Sequence, residues 1–96
     1  MLEKIKLSMR IFHNVIDSDI ESNISACMLD MQRVGVSKKA AVASSDDALI
    51  YKAAELYCKW QHDYNGKGDQ FMKAYENLRD AISLCGSYTE GGDSDV

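Results

Sequence analysis

The 96-residue chain contains no proline and only six glycines. That excludes collagen-like, mucin-like and polyproline architectures and leaves long helices uninterrupted. Cysteine is sparse. Cys27, Cys58 and Cys85 are odd in number, far apart and never in C-x-x-C spacing. They give neither a disulfide framework nor a zinc ribbon, and in a reducing compartment they read as small buried apolar residues. No stretch approaches the roughly 18 consecutive apolar residues of a membrane span. The opening Met1-Leu2-Glu3-Lys4-Ile5-Lys6 alternates apolar with charged residues. A secretory signal would need an unbroken apolar run of about 7–15 residues, so retention in the cytosol is expected. Basic excess is missing too: the net charge is −4 and the pI about 5.0, a poor starting point for tight duplex binding.

What is present is an ordinary globular composition, 46% hydrophobic and 27% charged, which is enough for one modest core and argues against wholesale disorder. The apolar spacing predicts an all-α fold, a small bundle of four main helices at about 2–12, 18–34, 46–64 and 70–85, with no sheet beyond a stray pair. In the first, Leu2, Ile5, Met9 and Phe12 share a face, but so short a helix must dock to persist. In the second, Ile20, Ile24, Cys27, Met31 and Val34 form one stripe. Asp17 or Ser18 is expected to cap its start, and Gly35 is placed for a left-handed C-terminal cap. Residues 36–45 read as a connection of about ten residues.

In the third helix Ser45 or Asp46 is the expected cap, and Leu49, Ala53, Leu56, Trp60 and Tyr64 form the expected core stripe, widened by Ile50 and Tyr57. Asn65-Gly66-Lys67-Gly68-Asp69 reads as a tight turn ending in an N-cap, which makes helices three and four an antiparallel hairpin. Phe71, Tyr75, Leu78, Ile82 and Cys85 then line the fourth helix, ended by Gly86. Ser87 to Val96, with three acids and two glycines, reads as a mobile tail. The domain is accordingly placed at 1–88, with a flexible acidic tail at 89–96.

Catalytic and cofactor chemistry finds no foothold. Gly66-Lys67-Gly68 lacks the phosphate-loop pattern and follows no strand. Cys58 and His62 are the only close soft pair, and a zinc site needs three or four ligands, so no metal and no cofactor is expected. His62 reads as an exposed residue beside Asp63. No Ser or Cys is marked as a nucleophile with an oriented base. The candidates that remain are surfaces. Arg33, Lys38 and Lys39 form a small basic patch suited to DNA or an acidic partner. Seven of the eight aromatics fall between Tyr51 and Tyr88. Most belong to a core, but Tyr51, Tyr57, Tyr64 and Tyr88 are candidates for a subunit interface, where aromatics are enriched.

Several strings carry a resemblance. They are Ala54-Glu55-Leu56-Tyr57-Cys58-Lys59-Trp60-Gln61, Asn65-Gly66-Lys67-Gly68, Phe71-Met72-Lys73-Ala74-Tyr75-Glu76-Asn77-Leu78 and Leu84-Cys85-Gly86-Ser87-Tyr88, with the helix that ends in Arg33-Val34-Gly35-Val36. Together they resemble the small head–tail connector, or DNA packaging, proteins of tailed bacteriophages and prophages. The resemblance implies a non-enzymatic structural part of the virion, made in the bacterial host cytoplasm. It implies self-association into a ring, twelve-fold on the portal protein, that extends the DNA channel and docks the next connector or tail component. DNA would pass through the lumen without sequence-specific binding. Two other classes fit the residues: a small helical DNA-binding regulator, which would need a basic recognition helix, and a partner-sequestering protein of the antitoxin or immunity kind.

Overall fold

The computed structural model describes residues 1–9 and 17–89. It contains four α-helices: α1 (Leu2–Met9), α2 (Asp17–Arg33), α3 (Ala48–Gln61) and α4 (Gly68–Ser83). Single 3-10 turns occupy Tyr64–Gly66 and Gly86–Tyr88. Among the described residues, pairing of extended backbone is limited to one antiparallel bridge, Val36 to Thr89. The all-α bundle expected from the apolar spacing is the fold.

The α2 stripe behaves as its spacing dictates. Ile20, Ile24, Cys27 and Met31 are buried, Met28 joins them, and Val34 is half-buried. The helix ends in a Schellman motif: the Val36 N–H donates to the Met31 carbonyl at 3.0 Å and the Gly35 N–H to the Gln32 carbonyl at 3.1 Å. Gly35 sits at φ 113°, the left-handed region in which a β-carbon is costly. Asp17 lies inside the helix rather than before it, and its carboxylate pairs with Lys6 of α1 at 2.8 Å.

The expected α3 stripe is displaced. The buried residues are Ile50, Ala53, Ala54, Glu55 and Cys58, while Leu49 is 45% exposed and Leu56, Trp60 and Tyr64 are half-buried. The cause is position: α3 touches α1, α2 and α4, so it buries more than one face. Small residues at 53, 54 and 58 let its neighbours approach closely. Its N-cap is Asp47, not Ser45 or Asp46. The Asp47 Oδ1 accepts from the N–H groups of Leu49 at 2.8 Å and Ile50 at 3.3 Å.

The hairpin turn is capped from an unexpected direction. Asp63 and Asn65 take left-handed φ values of 47° and 54°, followed by Gly66 at 71°. This folds the Asp63 carboxylate back onto the start of α4, where Oδ1 accepts the Gly68 N–H at 2.7 Å. A β-carbon on Gly68 would stand 2.6 Å from that oxygen, so the cap and the glycine require each other. Helix α4 therefore begins at Gly68, with Asp69 in its first turn rather than at its cap.

Helix α1 is described to Met9. Residues 10–16, with Phe12 and His13, lie outside the described residues. Ile5 is fully buried and Leu2 half-buried, which docks α1 against α2 and α3. Cys27 and Cys58 are buried as expected, and burial pushes both thiols up to about 12, away from reactivity. Cys85 is exposed, because α4 ends at Ser83 and the chain has already left the helical stripe.

The C-terminal segment is tied down further than composition suggests. The Ser37 N–H donates to the Tyr88 carbonyl at 2.6 Å, and the Tyr88 hydroxyl donates to Asp47 Oδ2 at 2.7 Å. Tyr88 and Thr89 are thus part of the fold, against the expectation of a tail mobile from Ser87. Residues 90–96 lie outside the described residues.

Candidate interaction surface

Among the described residues no group of three or more His, Cys, Asp and Glu side chains is placed to hold a metal ion. The polar side chains that converge do so to join helices. Asp30 on α2 accepts the Tyr75 hydroxyl at 2.7 Å and Arg79 Nη1 at 3.0 Å, both from α4, and Arg33 Nη2 at 2.7 Å from its own helix. Burial works to raise its pKa, but the bonds from Tyr75, Arg33 and Arg79 outweigh that and hold the carboxyl below its usual range. Tyr75 is fully buried; burial and the neighbouring Cys27 and Asp30 push its hydroxyl well up, so it remains a donor.

Glu55 on α3 is the second junction. It accepts from Ser8 of α1, from Lys52 Nζ at 2.8 Å and from the Tyr51 hydroxyl at 3.2 Å. Burial raises its pKa, yet the bonds from Lys52 and Ser8 and the charges of Lys59 and Lys52 bring it below the ordinary value. His62 is half-buried, with its Nε2 3.0 Å from Asn23 Nδ2 of α2, rather than an exposed bystander.

The basic patch divides. Arg33 is committed to Asp30. Lys38 and Lys39 are exposed, and among the described residues neither has a carboxylate at ion-pair distance. They stand on a loop without regular structure that is nonetheless fixed. Val36, Ser37 and Ala41 are buried, Gln32 Nε2 donates to the Ala41 carbonyl at 3.2 Å, and Ser37 Oγ accepts the Ala40 N–H at 3.2 Å. Lys39 lines a shallow depression of about 250 Å³ with Ser37, Ala40, Ser45, Asp47, Ile50 and Tyr88.

The four tyrosines proposed for an interface have intramolecular partners. Tyr51 bonds Glu55 and lies under Lys4 Nζ, 5.8 Å from its ring. Tyr57 packs edge-on against Trp60 at 5.3 Å and Tyr75 at 5.2 Å. Tyr64 packs on Phe71 at 6.1 Å, with Lys59 Nζ over both rings. Tyr88 holds Asp47. All four are half-buried, so each keeps an outward edge.

The large apolar side chains left in water are leucines: Leu7 is 78% exposed, Leu29 65%, Leu49 45% and Leu84 87%. Residue reading passed over three of them although the signal was available. Leu7, Leu29 and Leu84 fall off the stripes of their own segments, and an off-register leucine has no core to enter. Helix α4 is no basic recognition helix: its sequence offsets Lys73 and Arg79 with Asp69, Glu76 and Asp80, and Arg79 is held by Asp30 and Asp80.

A model of the phage connector protein family matches residues 1–89. The chain belongs to the phage connector protein family. No curated protein and no solved structure matches it. The family is one of structural proteins, and membership gives this chain a structural connector role with other phage head and tail components as its neighbours. No helix among the described residues is long and apolar enough to cross a membrane.

Proposed function

We propose that this connector protein is a non-enzymatic head-completion subunit of a tailed phage or prophage. It forms a ring, twelve-fold on the portal, beneath the capsid vertex and presents a platform to the next connector or tail component. The observation that carries the reading is the family match over residues 1–89. Two features of the fold support it. A ring requires unlike patches that meet head to tail. Exposed leucines on α1, α2, α3 and just after α4 supply apolar contacts outside the core, and the outward edges of Tyr51, Tyr57, Tyr64 and Tyr88 extend them. The acidity of the chain also suits a lumen that lets DNA pass: Glu90, Asp93 and Asp95 carry three of its four net negative charges. Lys38 and Lys39, with Arg33 partly neutralised by Asp30, make the residual contact with the polyanion.

Deletion of the gene is the direct test. Electron microscopy should show portal-bearing, DNA-filled heads that leak DNA or lack tails, with the protein absent from the vertex. Normal infectious particles would eliminate the reading, and loss of transcriptional control would favour a regulator. Leu84→Glu and Leu29→Glu should leave the isolated fold intact, since both side chains already stand in water, yet reduce incorporation into particles.

A further inference from the structure

Helix α2 carries opposite charge at its two ends. Residues 18–32 hold Asp19, Glu21 and Asp30 and no lysine or arginine, whereas residues 31–45 hold Arg33, Lys38 and Lys39 and no acid. Part of this charge is satisfied within the subunit: Asp17 pairs with Lys6, and Asp30 with Arg33 and Arg79. Asp19, Glu21, Lys38 and Lys39 are exposed, and among the described residues none of them is in an ion pair.

The fold keeps these acids and lysines apart. The lysine loop is pinned to the last turn of α2, since the Val36 N–H donates to the Met31 carbonyl and Gln32 Nε2 to the Ala41 carbonyl. Asp19 lies in the first turn of the same helix. At about 1.5 Å of rise per residue the stretch from Asp19 to Arg33 is about 20 Å long, too far for the loop to meet the acids of its own chain. Those acids frame an open face. At about 100° per residue, Ser18, Ser22, Ser25 and Leu29 run along the middle of the outward side of α2, with Asp19 on one flank and Glu21 on the other, and all six are exposed. The small serines leave a saddle between the two carboxylates that an adjacent pair of lysines can straddle.

We propose that this face of α2 docks the Lys38–Lys39 loop of a second copy, the two lysines meeting Asp19 and Glu21. Charge names the occupant, because each copy offers two unpaired lysines that match the two unpaired acids of the next. The contact joins unlike patches, so it repeats head to tail and closes a ring. Exposed ion pairs are individually weak and screened by salt, so the contact gains strength only when closure on a template sums many of them. The proposal rests on the ring reading above. It also gives a reason for the residual character of the DNA contact: lysines engaged by a neighbour's acids are not available to phosphates.

The experiment complements a deletion of the gene with the full chain or its variants and counts copies per purified particle. The loop variant is Lys38→Glu with Lys39→Glu, the helix variant Asp19→Lys with Glu21→Lys, and the exchange variant carries all four changes. The loop and helix variants should each lower incorporation several-fold. The exchange variant, and co-expression of the loop variant with the helix variant, should restore it. Because lysine is unfavourable at a helix N-terminus, Asp19→Asn with Glu21→Gln serves as a second helix variant, with natural helicity by circular dichroism and reduced incorporation. Zero-length carbodiimide cross-linking of natural particles should join Lys38 or Lys39 to Asp19 or Glu21, a link that the separation along α2 allows only between copies. Full incorporation of a folded loop or helix variant would overturn the proposal. Loss in the loop variant alone would do so by turning the lysines toward the portal or DNA. An exchange variant that folds and yet fails like its parents would overturn it as well. Normal infectious particles from the deletion itself would remove the connector reading instead. Cross-linking of the concentrated pure protein at low salt would then decide the contact, and absence of the same links would overturn it.

Discussion

Two carboxylates, half-buried Asp30 and buried Glu55, do the same kind of work in two unlike regions. Asp30 joins α2 to α4 and Glu55 joins α1 to α3. Around Asp30 the polar junction is laid over packed matter: Tyr75 is fully buried, Tyr57 and Trp60 pack on its ring, and Ile82, Cys27 and Met31 are buried in the same core. Around Glu55 the junction holds an eight-residue helix in which, among the described side chains, only Ile5 is fully buried. The difference teaches where stability is stored. The α2–α3–α4 unit has a core that Asp30 trims and orients. Helix α1 is too short to persist alone and depends on one isoleucine and a few polar ties. Local opening is therefore cheapest at α1, the element that an assembling ring can most readily rearrange.

The largest way to break the comparison is at Tyr75. Tyr75→Ala removes the ring from the aromatic cluster and a donor from Asp30, and should destabilise the whole domain by about 3–5 kcal/mol. Tyr75→Phe keeps the ring and should cost about 1–2 kcal/mol, the share of the hydrogen bond. Denaturant unfolding measures both. If the two variants cost the same, the hydroxyl rather than the packing holds this region.

Ile5→Ala comes next, at about 2–4 kcal/mol on the free energy of α1 docking. Hydrogen exchange should show the loss confined to Leu2–Met9, with protection in α2 to α4 retained. Global loss of protection would mean that α1 belongs to the same cooperative unit as the core, and the contrast between the regions would fail.

How much of this was legible beforehand follows from how many sides each element buries. Helix α2 presents one face, so its stripe at Ile20, Ile24, Cys27 and Met31 and its Gly35 cap could be read directly. Helix α3 is touched by three other helices, and a single-stripe reading placed Leu49 inside when it is 45% exposed and its neighbour Ile50 is the buried residue of the first turn. Local pairs such as Arg33 with Asp30 are within reach of spacing rules, being three residues apart on a helix. Arg79 with Asp30, 49 residues away, is not. The Asp63 cap was hidden because it depends on left-handed backbone at Asp63, Asn65 and Gly66 together, which no spacing rule marks. At the candidate surface, the exposure of Lys38 and Lys39 was readable from a polar loop. The hold of Tyr88 on Asp47 was not, because the glycines and acids beyond it suggested a tail with no anchor.

Acid sharpens the comparison with a smaller effect. Asp30 and Glu55 both titrate below their ordinary values of 3.8 and 4.5 in the folded chain. A carboxylate with a lowered folded pKa contributes stability that is fully present above the unfolded value and is lost as pH falls through the folded one. Stability should therefore hold from neutral pH to about 5 and decline below about 4. Asp30→Asn should flatten the global acid decline in denaturant melts. Glu55→Gln should flatten the acid exposure of α1 in hydrogen exchange and leave the global decline in place. If both substitutions flatten the same curve, the two junctions are one.

The smallest effect is expected at the surface ion pair between α1 and α2. Lys6 pairs with Asp17 at 2.8 Å, with both side chains well hydrated. The pair raises the Lys6 pKa, chiefly through the hydrogen bond to Asp17, but an exposed ion pair is offset by the freezing of two side chains and is screened by salt. Lys6→Ala should leave the thermal midpoint unchanged within error at physiological salt, and hydrogen exchange in Leu2–Met9 should stay near that of the natural chain. Glu55→Ala, by contrast, should expose the same helix, because there Ser8 gives up a partner with a relative exposure of only 6%. If Lys6→Ala opened α1 as far as Glu55→Ala does, attachment of the helix would be governed by surface charge. Docking would then be sensitive to ionic strength across its whole range, and burial of Ile5 would no longer account for where α1 rests.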